Sequence, residues 1–276
     1  MISGYTKNVT AIIKDSCEQV FEMKCGRRKV NNLKKKTVLV TGASRGIGKS
    51  IAIGFAKEGY HVFVNCRKSI DDLQKLTNMI NVMTPGSATM VPGNVADPAR
   101  VREMFKIIDS QCDGLDVLVN NAGISFFGLL SDMTDEEWDE IISVNLSSVF
   151  YCCRQAIPAM VSRKAGKIIN ISSIWGRTGA SCESAYSAAK SGVNGLTMAL
   201  AKELAPSNIS VNAIACGVVD TEMNGHLTEA EKEQLANEIP VGRFATADEI
   251  AKLVIGMVNS PNYMTGQIIG IDGGFI

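Results

Sequence analysis

Residues 37–48 read TVLVTGASRGIG, and this stretch decides the fold. Thr37–Thr41 is almost wholly apolar and β-branched, which is how a strand covered on both faces reads. Three glycines follow at 42, 46 and 48, and helical periodicity then runs from Ile47 to Lys57. A tight strand-to-helix turn needs residues without a Cβ. The amides at the helix start, helped by the positive end of the helix dipole, then face whatever anion sits in the turn. The spacing is G-x-x-x-G-x-G, not the commoner G-x-G-x-x-G, and its place after a first strand predicts a dinucleotide turn. Gly42, Ser44, Arg45, Gly46, Ile47 and Gly48 are its expected lining.

Outward from this unit the pattern repeats. Short apolar runs occur at His61–Asn65, Thr89–Pro92, Leu115–Asn120, Lys167–Ile171, Ile209–Ile214 and Gln267–Ile271. Helical segments lie between them, among them Asp97–Ser110, Glu136–Arg163, Ser184–Ala205 and Ala247–Asn259. Seven strands alternating with helices predict an α/β fold, a Rossmann-type doubly wound parallel sheet with helices on both faces. No linker or internal repeat interrupts it, so one domain is expected over 37–276. The chain has 276 residues, 46% hydrophobic and 20% charged, enough to bury a sizeable core. No apolar run reaches the length of a membrane span.

Lys+Arg and Asp+Glu both total 28, so the net charge is zero. This removes the simplest electrostatic case for a nucleic-acid binder. The balance is uneven along the chain. Residues 1–36 carry nine basic and three acidic side chains and end in Lys34-Lys35-Lys36, which leaves the remainder mildly acidic. The extension lacks the apolar segment of a secretory signal and is expected to be poorly ordered. A docking segment and an organelle transit peptide are the other readings. Eight cysteines without a C-x-x-C pair, and only two histidines, predict buried thiols in the cytoplasm and no metal.

A site for NAD places an acid about 20 residues past the glycines, on the ribose hydroxyls. Here Asn65-Cys66-Arg67-Lys68 occupies the end of the second strand. Arg45 and Arg67 suit a 2′-phosphate instead, so NADP(H) is the expected cofactor. Asn94 and Val95 after the third strand are expected at the adenine. After the fourth, Asn121, Ala122 and Gly123 let the backbone approach the cofactor.

Tyr186 and Lys190 are four apart in a helical segment and so share a face. In a chain with five tyrosines, Tyr-x-x-x-Lys is by itself a common accident. Ser173, however, ends the fifth strand at the ligand-binding rim of such sheets, and Asn145 lies inside the long helix after the fourth. One chemistry joins the four. A cation beside a phenol lowers its pKa toward a useful range. Ser173 polarises a carbonyl, Asn145 holds a water connecting Lys190 to solvent, and Tyr186 delivers the proton. A pocket bounded by Ser173, Ile174, Trp175, Tyr186 and the segment 217–238 is expected.

These motifs, TGASRGIG, NNAG at 120–123, SVNLSS around Asn145, NISSIWG around Ser173 and YSAAK at 186–190, resemble the short-chain dehydrogenase/reductase family over essentially all of 37–276. The resemblance implies that Asn145, Ser173, Tyr186 and Lys190 form a catalytic tetrad, with Tyr186 and Lys190 also touching the cofactor. It implies that Gly217, Val219 and Thr221 meet the nicotinamide carboxamide. The family usually has proline where Cys216 stands. It also implies a homotetramer built on the helices at 136–163 and 184–205. Within the family the chain is similar to 3-oxoacyl-[acyl-carrier-protein] reductases of fatty acid synthesis, with Arg45, IPVGRF at 239–244 and the Thr265–Gly274 segment as carriers. The stretches around Trp175 and Asp220 are also similar to reductases of the 5-aminopentanone-modified lysine of elongation factor P. Both readings are NADPH-dependent ketone reduction to a secondary alcohol. A non-catalytic nucleotide-sensing module is the alternative from another class. A nucleic-acid or membrane role resting on residues 1–36 is a third reading, and neither partner is expected.

Overall fold

The structure, a computed structural model, describes residues 35–225 and 227–276. Expectations for the extension, apart from Lys35 and Lys36, lie outside the described residues. Elements alternate along the chain: β1 (Thr37–Val40), α1 (Gly46–Lys57), β2 (His61–Val64), α2 (Ile70–Met83), β3 (Ser87–Met90), α3 (Pro98–Asp109) and β4 (Val117–Asn120). Then come α4 (Asp135–Ile142), a π-helical turn (Ser143–Ser147), α5 (Ser148–Arg163), β5 (Gly166–Ser173), α6 (Trp175–Thr178) and α7 (Ser184–Leu204). The chain closes with β6 (Ile209–Cys216), α8 (Glu229–Glu238), α9 (Ala247–Asn259) and β7 (Ile268–Ile271).

All seven strands are parallel, in the order β3-β2-β1-β4-β5-β6-β7. The expected doubly wound sheet is therefore present. Successive side chains of a strand point to opposite faces, and both faces here are covered. Val38 and Val40 pack on one side with Ile51, Phe55, Leu73, Ile80 and Val254 from α1, α2 and α9. Leu39 points the other way, among Met104, Phe105, Cys153, Met160 and Val193 from α3, α5 and α7. That burial explains why the strands read as continuous apolar runs.

The strand order reverses between β1 and β4, and the crevice at such a switch point is where open α/β sheets bind ligands. Two expectations are corrected. The single helix over 136–163 is instead α4 and α5 joined through the π-helical turn. The third strand lies at Ser87–Met90, two residues earlier than its most apolar run. Among the described residues no helix is long and apolar enough to cross a membrane, and no cluster of His, Cys, Asp or Glu is placed to hold a metal ion.

Candidate active site

The glycine turn is fixed from both sides. Asn65, buried at the end of β2, accepts the Gly42 amide on Oδ1 at 3.4 Å and the Ala43 amide on its backbone carbonyl at 2.7 Å. Its Nδ2 donates to the Val91 and Gly93 carbonyls, which ties the turn to the end of β3. From β4, Asn121 donates through Nδ2 to the Thr41 carbonyl at 2.8 Å and the Gly42 carbonyl at 3.1 Å. The Thr41 hydroxyl accepts the amides of Asn121 and Ala122. A Cβ on Gly48 would stand 2.3 Å from the Gly42 carbonyl oxygen. The turn therefore closes only around a bare backbone.

Helix α1 has no side-chain cap. By contrast α4, α8 and α9 each begin with a capping box, Thr134/Glu137, Thr228/Glu231 and Thr246/Glu249. The first amides of a helix have no partners within it, so those of α1 are left for a ligand at the turn. Arg45 and Arg67 are both exposed beside it. Arg67 is engaged by Glu140, with Nη1 to Oε1 at 2.9 Å. Asn94 lines the adjoining clefts, although its Oδ1 accepts the Ala96 amide. Val95 turns its side chain into the core.

The candidate reacting groups come from three elements on the other side of the crevice. Asn145 sits in the π-helical turn, where the i→i+5 pattern sets helix carbonyls out of register. Its Nδ2 donates to Ile141 O at 3.1 Å and to Ile124 O at 2.9 Å, and its Oδ1 accepts the Ile124 amide at 3.1 Å. Lys190 is buried and donates from Nζ to the Ile171 carbonyl at 2.8 Å. Its Nζ is 5.5 Å from the centroid of the Tyr186 ring. A Cβ on Gly123 would lie 2.8 Å from Asn145 Oδ1 and 3.6 Å from Lys190 Nζ, so both side chains border the gap this glycine keeps open.

Ser173 hydrogen-bonds the Tyr186 hydroxyl and accepts the Trp175 amide at 3.2 Å. Burial raises the Tyr186 pKa, and the Ser173 bond opposes that only in part. The expected lowering by Lys190 is absent because burial pushes Lys190 itself down to about 8, weakening it as a cation. Cys216, opposite Ser173 in the strand register, is also buried and pushed up to about 12.

Gly217, Val219 and Thr221 follow β6 on the same rim. Gly217 packs on Asp272, where a Cβ would stand 2.7 Å from its Cα. Val219 is buried and pairs with Ala245. Thr221 lies 3.3 Å from where a Gly46 Cβ would be, which closes the crevice over the turn. Ile174 belongs to the core, contrary to the expected pocket wall. Trp175 does remain half-exposed, against Phe275.

Three supporting residues escaped the sequence reading. Asn65 entered it only as a missing carboxylate. Thr41 reads in the sequence only as the end of a strand. Gly176 brings α6 onto α7, since a Cβ there would meet the Lys190 backbone at 2.8 Å. Its carbonyl accepts Ser191 Oγ and Asn194 Nδ2. The glycine directly after Trp175 was the available signal.

The family model for short chain dehydrogenases matches residues 36–232. The chain belongs to that family. As a short chain dehydrogenase it is an oxidoreductase, and nicotinamide dinucleotides are the cofactors of its class. The uncapped α1 terminus and the cradle that a Cβ would fill at Gly42, Gly48 and Gly123 fit such a molecule.

This dehydrogenase is 43% identical over 240 residues to the 3-oxoacyl-[acyl-carrier-protein] reductase FabG of Staphylococcus aureus (strain N315), covering 87% of this chain and 97% of that one. It is 39% identical over 241 residues to the uncharacterized oxidoreductase YmfI of Bacillus subtilis (strain 168), covering 87% and 98%. Among solved structures it resembles YwfH, described as an NADPH dependent reductase involved in bacilysin biosynthesis. The TM-score is 0.83 at 27% identity, covering 88% of this chain and 99% of that one.

Proposed function

We propose that the chain reduces a ketone to a secondary alcohol with NADPH, and that the ketone is a 3-oxoacyl group carried on acyl carrier protein. The observation carrying this reading is the grouping of Tyr186 with Lys190 and Ser173, together with Lys190 and Asn145 at the Gly123 gap, beyond the C-terminal ends of the strands. The likeness to reductases named for that substrate supports it.

Reduced nicotinamide, when bound, supplies a hydride for the carbonyl carbon. Tyr186 gives its phenolic proton to the carbonyl oxygen. Because burial keeps the phenol neutral, it carries that proton into the reductive step. Ser173 donates to the same oxygen. The Trp175 amide occupies an acceptor site on Ser173, which leaves the hydroxyl proton for substrate. Lys190, anchored on Ile171, returns a proton to the phenolate left behind. With a pKa of about 8 it exchanges protons readily at working pH. Asn145 borders the Gly123 gap through which Lys190 is reprotonated.

The choice of NADPH rests on Arg45 and Arg67, and on the lack of a carboxylate at 65–68. The remaining rim residues Gly42, Ser44, Gly46, Ile47, Gly48, Asn94, Val95, Asn121, Ala122, Gly123, Gly217, Val219 and Thr221 are assigned to the same dinucleotide.

A second reading has one observation in its favour. The segment expected to border the pocket carries Glu229, Glu231, Glu233 and Glu238 on α8 with Lys232 as its one base, and Arg243 is paired with Glu249. Such a rim repels an acidic carrier protein and suits a ketone borne on elongation factor P.

Loss of reduced-nicotinamide absorbance with a 3-oxoacyl thioester, for NADPH against NADH and for Tyr186→Phe, tests the proposal. Fast Tyr186-dependent oxidation of NADPH is expected. Binding without turnover of that thioester, followed by turnover of the protein-borne ketone, would move the substrate to the second reading. Binding without any turnover would leave a nucleotide-sensing module.

The same reading assigns a cytoplasmic homotetramer. Phe150 is exposed on α5 with Arg154 5.0 Å from its ring, and Met198 is exposed on α7. These make apolar faces that a second copy would cover, which light scattering tests. Residues 1–36 are proposed to be dispensable for turnover by 37–276.

A further inference from the structure

Arg67 and Glu140 are 73 positions apart in the chain and join the turn after β2 to the C-terminal end of α4. Among the described residues four further ion pairs, Asp72–Lys75, Arg100–Glu103, Glu229–Lys232 and Arg243–Glu249, link residues three or six apart. The Arg67–Glu140 pair therefore depends on the assembled crevice. Both residues line a cleft of about 500 Å3 together with Asn94, Asp139, Ser143 and Ser147. Asp139 adds a second carboxylate to that wall. The cationic side of the crevice is thus opposed by an acidic one.

We infer that Glu140 is a specificity-determining residue, a built-in competitor for the anion that Arg67 receives. It sets how strongly the chain discriminates between nicotinamide dinucleotides with and without a ribose 2′-phosphate. The inference rests on the reading that Arg45 and Arg67 take that phosphate. A guanidinium binds phosphate best through two parallel N–H donors. Glu140 holds one of the Arg67 nitrogens at 2.9 Å, so a phosphate must share or displace it. The side chains of the pair are 36% and 53% exposed, which makes the pair weak enough to open. The displaced carboxylate stays tethered to α4 beside the cleft, where it repels a doubly charged group.

The test is equilibrium binding to the full chain, read by fluorescence and calorimetry. The ligands are NADPH, NADH, 2′,5′-ADP and 5′-ADP. Glu140→Gln is expected to tighten NADPH and 2′,5′-ADP by about two- to fivefold, the range an exposed ion pair supports, and to leave NADH and 5′-ADP unchanged. In an Arg67→Gln background the same substitution is expected to do nothing. Unchanged or weaker binding of both 2′-phosphate ligands to Glu140→Gln would overturn the inference, as would an equal gain without Arg67. The underlying reading fails separately. Wild-type chain that binds NADH as well as NADPH, with Arg45→Gln and Arg67→Gln indifferent to 2′,5′-ADP, would remove the phosphate site itself.

Discussion

Lys190 Nζ donates to the main-chain carbonyl of Ile171 at 2.8 Å, from inside the protein. An ammonium is thereby held where burial penalises its charge, which pushes its pKa down from 10.5 to about 8. That difference corresponds to about 3 kcal/mol favouring the neutral amine in the folded chain.

Lys190→Met is therefore expected to abolish turnover and to stabilise the fold, by about 1–3 kcal/mol at neutral pH once the orphaned Ile171 carbonyl is counted. The folded-state pKa lies below the unfolded one, so between about 8 and 10.5 the folded chain binds fewer protons. Wild-type stability rises with pH through that window. The advantage of the variant should shrink there, in urea titrations run at successive pH values.

Tyr186→Phe removes the donated proton and little else. Its turnover is expected to fall by about 10²–10⁴-fold. NADPH affinity and thermal midpoint should stay near wild type, since ring and packing remain. Equal loss of affinity and turnover would contradict the assignment.

Gly48→Ala and Gly46→Ala separate two kinds of glycine. The Gly48 Cβ would meet a fixed backbone oxygen at 2.3 Å, whereas the Gly46 Cβ would meet the Thr221 side chain at 3.3 Å. Gly46 also has φ +52. Alanine at 48 is expected to cost about 1–3 kcal/mol and dinucleotide binding. Alanine at 46 should cost about 1 kcal/mol, from its left-handed backbone. Thermal midpoints and NADPH titrations read both.

His61 lies buried at the start of β2, with Nδ1 on Ser87 Oγ at 2.7 Å and Nε2 unpartnered. Burial, and then Lys35, hold its pKa below 6.5. Its contribution is fully present above the unfolded value and is lost as pH falls through the depressed one. Stability should drop as pH falls below about 6.5, and His61→Gln should flatten that slope.

The sheet was legible because parallel strands buried on both faces leave unbroken apolar runs, as at Val38–Val40 and Val62–Val64. Polar strand ends were less so. β5 continues through Ser172 and Ser173 because β6 pairs with them up to Cys216, a long-range match no local pattern carries. Candidate site residues could be named because their types are rare in those contexts, a Ser ending a buried strand and a Lys on a packed helix face. Their holders could not. Asn65, Thr41 and the Ile171 carbonyl act through hydrogen bonds to positions distant in sequence, and the π-helical turn at Asn145 leaves the helical pattern of residue types unaltered. The engagement of Arg67 by Glu140 was likewise unreadable, since only the folded chain brings them together.

The Thr41 hydroxyl, which takes the amides of Asn121 and Ala122 some 80 positions downstream, also bears on the chain's birth. During synthesis the glycine turn leaves the ribosome well before its anchors do. Until β4 is made and docked, nothing from that side fixes the turn, so a nascent chain ending before residue 121 has the whole phosphate motif without its grip. The grip on the turn thus depends on the two halves of the sheet having joined.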